Sequence, residues 1–122
     1  MSKKILVVED TEDNRQILRD LLGMAGYEMV EAHDGLAGVA MAAEHKPDLI
    51  LMDIQMPVLD GYEATRRIKA DPALAAIPIV AVTSYALSGD EAKARAAGCD
   101  DYIAKPYSPR QMLAKVREIL GA

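Results

Sequence analysis

Apolar residues along this chain switch between two spacings. Short continuous runs alternate with stretches in which they recur every three or four positions, the patterns left by strands and helices respectively. Lys4-Ile5-Leu6-Val7-Val8 reads as a strand stopped by the acids Glu9 and Asp10. Ile17, Leu18, Leu21, Leu22 and Ala25 then fall at helical spacing, which predicts a helix over 12–25 with Gly26 as its stop. Glu28–Ala32 alternates polar and apolar residues, as an edge strand does. Asp34-Gly35 turns into an Ala-rich helix that must end before Pro47. Residues 48–52 are continuously apolar from Leu49, as expected of a strand buried on both faces. A loop containing Pro57 and Gly61 leads to a helix ending near Ala70. A fourth strand is predicted over 77–82, with Pro78 near its start, where a missing amide does least harm. Asp90–Ala97 reads as a helix capped by Gly98, and 102–104 as a short fifth strand. Pro109–Leu120 closes the pattern, with Met112, Leu113, Val116, Ile119 and Leu120 as its buried stripe.

Five strand–helix units in succession imply an α/β fold. Parallel strands need crossover connections, and the helices that supply them cover both faces of the sheet. In an open, doubly wound sheet the ligand site lies at the carboxyl ends of the strands. The residues just after each strand therefore carry the functional question.

Composition narrows the classes. At 122 residues the chain is expected to be one domain, with no linker or repeat dividing it. Its net charge of −5 argues against a nucleic-acid partner, which calls for a basic face. No apolar run approaches the roughly 20 residues that span a bilayer, and the start lacks a signal-peptide core. One cysteine excludes an internal disulfide. These features lead us to expect a cytoplasmic location, away from membranes.

The predicted strand ends hold Glu9-Asp10, Asp53, Thr83-Ser84 and Lys105-Pro106. Acids after a strand often only cap the next helix, and Asp10, Thr11 or Asp13 could do that here. A Thr-Ser pair or a Lys-Pro pair is equally ordinary in isolation. The conjunction is less ordinary, because a parallel sheet brings all four ends to one edge. Three carboxylates in a small cleft repel one another unless a cation compensates. Lys105 offers one positive charge. An oxygen-only, water-accessible set of donors suits Mg²⁺ for the remainder. His33, His45 and Cys99 are read as falling away from the strand ends, which argues against zinc.

Ile5-Leu6-Val7-Val8-Glu9-Asp10, the run from Asp48 through Asp53 to Pro57 with Asp60-Gly61, Pro78-Ile79-Val80-Ala81-Val82-Thr83, and Gly98-Cys99-Asp100-Asp101-Tyr102-Ile103-Ala104-Lys105-Pro106 together resemble the response-regulator receiver domain of two-component signalling. The resemblance runs along the whole chain. It implies a flavodoxin-like sheet of order 2-1-3-4-5 with five helices, and a single-domain regulator without an output domain. It further implies that Asp53 accepts a phosphoryl group from a histidine kinase or a histidine phosphotransfer protein. Glu9, Asp10, Asp53 and the backbone carbonyl of Gln55 would hold Mg²⁺. Lys105 and Thr83 would contact the phosphoryl oxygens, and the Lys105–Pro106 peptide would be cis. Thr83 and Tyr102 would form the switch, reshaping the face of helix 4, strand 5 and helix 5 for a downstream protein. Gln55 and Tyr85 stand where the family tunes the lifetime of the phosphoryl group. The expected role is a phosphoacceptor switch that catalyses only its own phosphorylation and dephosphorylation, rather than an enzyme.

Departures and rivals are few. Glu9 replaces the more common Asp at the first acidic position and so changes the reach to the metal. A hydrolase with an aspartyl-phosphate intermediate would want an acid at position 55, where Gln stands. A flavodoxin-like nucleotide binder would want amide and hydroxyl donors where Glu9-Asp10-Thr11-Glu12-Asp13 would repel a phosphate. The segment from Glu9 to Asn14 lacks the central Gly and distal Glu of a calcium loop. A receiver cut from a hybrid kinase, or a non-phosphorylated pseudo-receiver that acts by constitutive binding, are the alternatives. Arg66, Arg67 and Lys69 read as a solvated helix face, and Cys99 as an inert core or loop thiol.

Overall fold

A computed structural model describes residues 3–56, 58–83 and 90–121. The elements are β1 (Lys4–Val8), α1 (Glu12–Met24), β2 (Glu28–Ala32), α2 (Gly35–His45), β3 (Leu49–Asp53), α3 (Gly61–Ala70), β4 (Ile79–Thr83), α4 (Asp90–Ala97), β5 (Asp101–Ala104) and α5 (Pro109–Leu120). The five strands form one parallel sheet in the order β2-β1-β3-β4-β5, the flavodoxin-like order. The alternating strand β2 sits at an edge, and the continuously apolar β3 lies fully buried at the centre.

Alternation along the inner strands sorts their side chains into two cores. Leu6, Val8, Ile50, Met52, Ile79 and Ala81 point to the side that packs Ala42 of α2, Ala64 and Ile68 of α3, and Ala94 of α4. Ile5, Val7, Leu49, Leu51, Val80 and Val82 point to the other side, against Leu18 and Leu22 of α1 and Met112 and Val116 of α5. Each side of the sheet therefore buries its own apolar layer, the arrangement that parallel strands require.

The boundaries differ from the sequence reading in small, explicable ways. β4 begins two residues later than the pattern suggests. The Ile77 amide is spent on the Leu74 carbonyl, Pro78 has none to give, and the Ile79 amide is the first of β4, donating to the Asp100 carboxylate. β3 and β4 each extend one residue further, taking in Asp53 and Thr83. β5 begins at Asp101 rather than Tyr102. α1 ends at Met24, with Ala25 as its cap, and Gly26 follows at φ 92°, where a side chain would be strained. Ile17, counted in the apolar stripe of α1, is 57% exposed: it sits at the margin of the stripe and borders the β5–α5 loop rather than the sheet.

Charged residues fasten the connections. Asp34, Asp60 and Ser108 cap α2, α3 and α5 by accepting amide hydrogen bonds, and Ser108 with Gln111 forms a reciprocal capping box. The basic run on α3 divides. Arg66 and Arg67 pair with Glu63 one turn back on the exposed face. Lys69 instead turns inward and donates to the carbonyls of Ala75 and Ile77 and to Asp100. Its three protons close the α3–β4 loop against the start of β5, so it belongs to the scaffold rather than to a solvated face.

Candidate functional site

Strand register creates the site. Val8 pairs with Met52, Asp53 with Val82, and Thr83 with Ala104. The residues at or just past these rungs, Glu9, Asp53, Thr83 and Lys105, therefore emerge side by side. Backbone bonds fix them there: the Glu9 amide donates to Ala32, Ile54 to Val82, and Lys105 to Thr83 at 2.7 Å. Gly61 is obligatory nearby, because a Cβ at that position would collide with the Asp53 carbonyl oxygen, and its amide donates to Ile54. The Lys105–Pro106 peptide is cis.

Glu9, Asp10 and Asp53 offer carboxylate oxygens that all lie within 4.8 Å of one another. Glu9, Asp53 and Thr83 are buried, at 4%, 5% and 1% exposure, while Asp10 faces solvent. Lys105 Nζ lies 3.3 Å from Glu9 Oε1 and 3.5 Å from Asp53 Oδ2. The other Asp53 oxygen, Oδ1, accepts the Gln55 amide at 3.2 Å. One ammonium among three carboxylates leaves an excess of negative charge in a mostly buried cleft. A hydrogen bond shared with Glu9, then partial burial, then the charge of Glu9 push the Asp10 carboxyl above the ordinary carboxylate value. Hard oxygen donors, surplus charge and one open side make a donor set that fits Mg²⁺.

The surroundings include residues that the sequence did not mark. Asn14 Nδ2 donates to Glu9 Oε1 at 2.9 Å, and Arg15 Nη1 donates to the Glu9 carbonyl at 2.7 Å. Tyr107, two residues past Lys105, lines the same cleft as Glu9, Asp53 and Lys105. Burial, with the charges of Glu9 and Asp53, pushes its phenol up. An open groove of about 510 Å³ runs outward from there between Asn14 and Ile17 on one side and Lys105, Pro106 and Tyr107 on the other. Helical spacing could have exposed Asn14 only if the position of α1 over β1 were already known.

Other residues fall elsewhere. Tyr102, half-buried, packs against the α2–α3–α4 core, on the strand that carries Lys105 at its end. Thr11 is the N-cap residue of α1, yet its side chain makes no capping bond, and its amide donates to Glu9 Oε2 at 3.3 Å. His33 does follow β2 directly, contrary to the sequence reading, but its side chain is 73% exposed, beside Asp34 and outside the carboxylate group. Cys99 is buried beside the Thr65 hydroxyl, and burial pushes its thiol up, as befits a core position. Tyr85 and Ser84 lie outside the described residues.

Residues 5–117 match the family model described as response regulator receiver domain. The chain belongs to that family. Among curated relatives, the polar-differentiation response regulators DivK of Brucella anthropi and Brucella ovis are each 44% identical over 121 residues, spanning 99% of this chain and 98% of theirs. The receiver domain of the sensor histidine kinase PA1611 from Pseudomonas aeruginosa, solved with a magnesium ion coordinated in its active-site cleft, shares 37% identity at a TM-score of 0.92 and covers both chains completely. The chemotaxis protein CheY4 of Vibrio cholerae superimposes at a TM-score of 0.92 with 28% identity, covering 98% of this receiver and 99% of that chain. This receiver thus shares its fold with a relative that carries magnesium in its active-site cleft. Among the described residues no helix is long and apolar enough to cross a membrane.

Proposed function

We propose that this receiver accepts a phosphoryl group on Asp53, in a Mg²⁺-dependent reaction, from a sensor histidine kinase or a histidine phosphotransfer protein. The observation that carries the reading is the buried Asp53 carboxylate, with Lys105 3.5 Å from Oδ2 and two further carboxylates beside it. An Asp53 oxygen attacks the phosphorus of a phosphohistidine. The P–N bond breaks and the imidazole departs with the electron pair, to be protonated in turn. Such a transfer needs placement and charge neutralisation more than covalent assistance. Glu9, Asp10, Asp53 and the Gln55 carbonyl are the groups that would hold the ion, which when bound supplies positive charge to the phosphoryl oxygens. Lys105 releases Asp53 to pair with the incoming oxygens, and Thr83 donates its hydroxyl to them.

The new charge, roughly −1.5 to −2, draws Thr83 and Lys105 toward position 53. Tyr102 follows into the space vacated, and the face of α4, β5 and α5 shifts between two packings to suit a downstream protein. The chain turns over no substrate of its own. It works in the cytoplasm, with proteins rather than nucleic acid or membranes as partners. Gln55 and Tyr85 set how long the phosphoryl group survives. Similarity along nearly the whole length of DivK supports a free-standing regulator. The likeness to the receiver of a sensor kinase supports a second reading, in which the same chemistry serves as one module of a hybrid kinase.

The test is to add acetyl phosphate or beryllofluoride with and without Mg²⁺, and to follow amide shifts of the wild type and of Asp53→Ala. Saturable shifts that need Mg²⁺, reach Tyr102 and vanish in Asp53→Ala are expected. A folded protein with no such response would be a pseudo-receiver acting through constitutive binding.

A further inference from the structure

We propose that Asn14 is a positioning residue for the metal-binding carboxylate of Glu9, an inference that rests on the magnesium reading above. Glu9 has one more rotatable bond than an aspartate at the same place, so its carboxylate needs holding. Each of its polar atoms is engaged. The amide donates to Ala32, and the carbonyl accepts from Arg15. Oε2 accepts the Thr11 amide at 3.3 Å, and Oε1 accepts Asn14 Nδ2 at 2.9 Å beside Lys105 Nζ at 3.3 Å. Of these donors to the carboxylate, Asn14 makes the shortest contact. It is also a neutral side chain.

That neutrality matters. A lysine or arginine at position 14 would orient Glu9 by cancelling its charge, and would then compete with a divalent ion. An amide fixes the direction of the carboxylate and leaves its charge for the cation. Each carboxylate oxygen can accept two bonds, so Oε2, with one from Thr11, retains capacity for a metal. Partners that orient a ligand from behind change metal affinity by about ten- to a hundredfold when removed. Asn14 reaches Glu9 from the first turn of α1, where Thr11, the N-cap residue, gives its own amide to the same carboxylate.

The experiment is a Mg²⁺ titration followed by amide shifts on four proteins: wild type, Asn14→Ala, Glu9→Asp and the double variant. Asn14→Ala is expected to bind Mg²⁺ about tenfold more weakly. In the Glu9→Asp background the shorter carboxylate withdraws from the Asn14 amide, so removing Asn14 should then change nothing. In metal-free protein, the side-chain carboxyl ¹³C resonance of Glu9 should move in Asn14→Ala. Should Asn14→Ala fold poorly, Asn14→Ser, which keeps a polar group at the start of α1 but cannot span the gap, is expected to fold and to show the same roughly tenfold loss. Wild-type affinity in Asn14→Ala, or an equal loss in both backgrounds, overturns the inference while leaving the metal reading intact. A wild type with no saturable Mg²⁺ response overturns both.

Discussion

Two clusters of charge flank the start of α1, and they are built on opposite plans. On the outer side, Glu12 and Glu31 meet Arg15 and Arg19, two acids for two guanidiniums. Glu31 takes Arg19 with both oxygens, at 2.7 and 2.8 Å, and Arg15 at 3.3 Å. On the inner side, Glu9, Asp10 and Asp53 share the single ammonium of Lys105. The outer cluster is balanced, bidentate at Arg19 and Glu31, and partly solvated, the form of ion pairing that contributes modestly to stability. The inner one is unbalanced and largely buried, which costs stability. Uncompensated charge in a cleft is what a cation-dependent site requires, and a bound cation would offset the cost. The clusters touch through Arg15, which joins the outer network and also holds the Glu9 carbonyl.

Removing charge should therefore have opposite consequences on the two sides. Asp53→Asn takes one negative charge out of the inner cluster and leaves Lys105 paired with Glu9. It is expected to abolish phosphoryl uptake entirely, read by intact mass after incubation with acetyl phosphate. The same change should stabilise the metal-free fold by about 1–2 kcal/mol, raising the melting temperature by several degrees. A variant that loses uptake and also melts lower would show that the inner cluster is not under electrostatic strain.

Glu31→Gln tests the other half of the contrast. It removes the negative charge, and one of the two acceptor oxygens, that hold two arginines, and is expected to destabilise the protein by roughly 0.5–1 kcal/mol, a loss that shrinks in high salt. Phosphoryl uptake should persist, slowed only as far as Arg15 loosens its hold on the Glu9 carbonyl. A calorimetric melt beside an uptake time course separates the two effects. If Glu31→Gln removed uptake as completely as Asp53→Asn, the two clusters would be one functional unit.

The same contrast explains what the sequence could and could not disclose. Continuous apolar runs, turn glycines and capping acids place all five strands, and the helix ends that they mark, to within two residues, because those signals are local. The convergence of Glu9, Asp53, Thr83 and Lys105 is nearly as legible, since a parallel sheet sends all strand ends to one edge. Asn14, Tyr107 and Lys69 are different. Each is an unremarkable residue for a helix or loop, and each acquires its partner only when α1, the β5–α5 loop or α3 is docked against the sheet. Ile17 errs the other way: its spacing counts it as core, while its place at the margin of the stripe leaves it lining the groove beside Lys105. Periodicity reports which side of a helix is apolar, but not where that side ends.

The smallest expected effect concerns Glu12, at the exposed rim of the balanced cluster. Hydrogen bonds from Arg19 and then Arg15 hold its carboxyl below the ordinary value of 4.5. A carboxylate depressed on folding contributes its stabilisation fully above the unfolded value and loses it as pH falls through the folded one. The melting temperature of the wild type should therefore exceed that of Glu12→Gln by a small, constant margin above about pH 5, and the margin should close as the pH drops below about 4. Because the pair is solvent-exposed, high salt should close it as well. A margin that survived both acid and salt would mean that Glu12 supports α1 through packing or helix propensity. The outer cluster would then owe its stability to Glu31 and its two arginines alone.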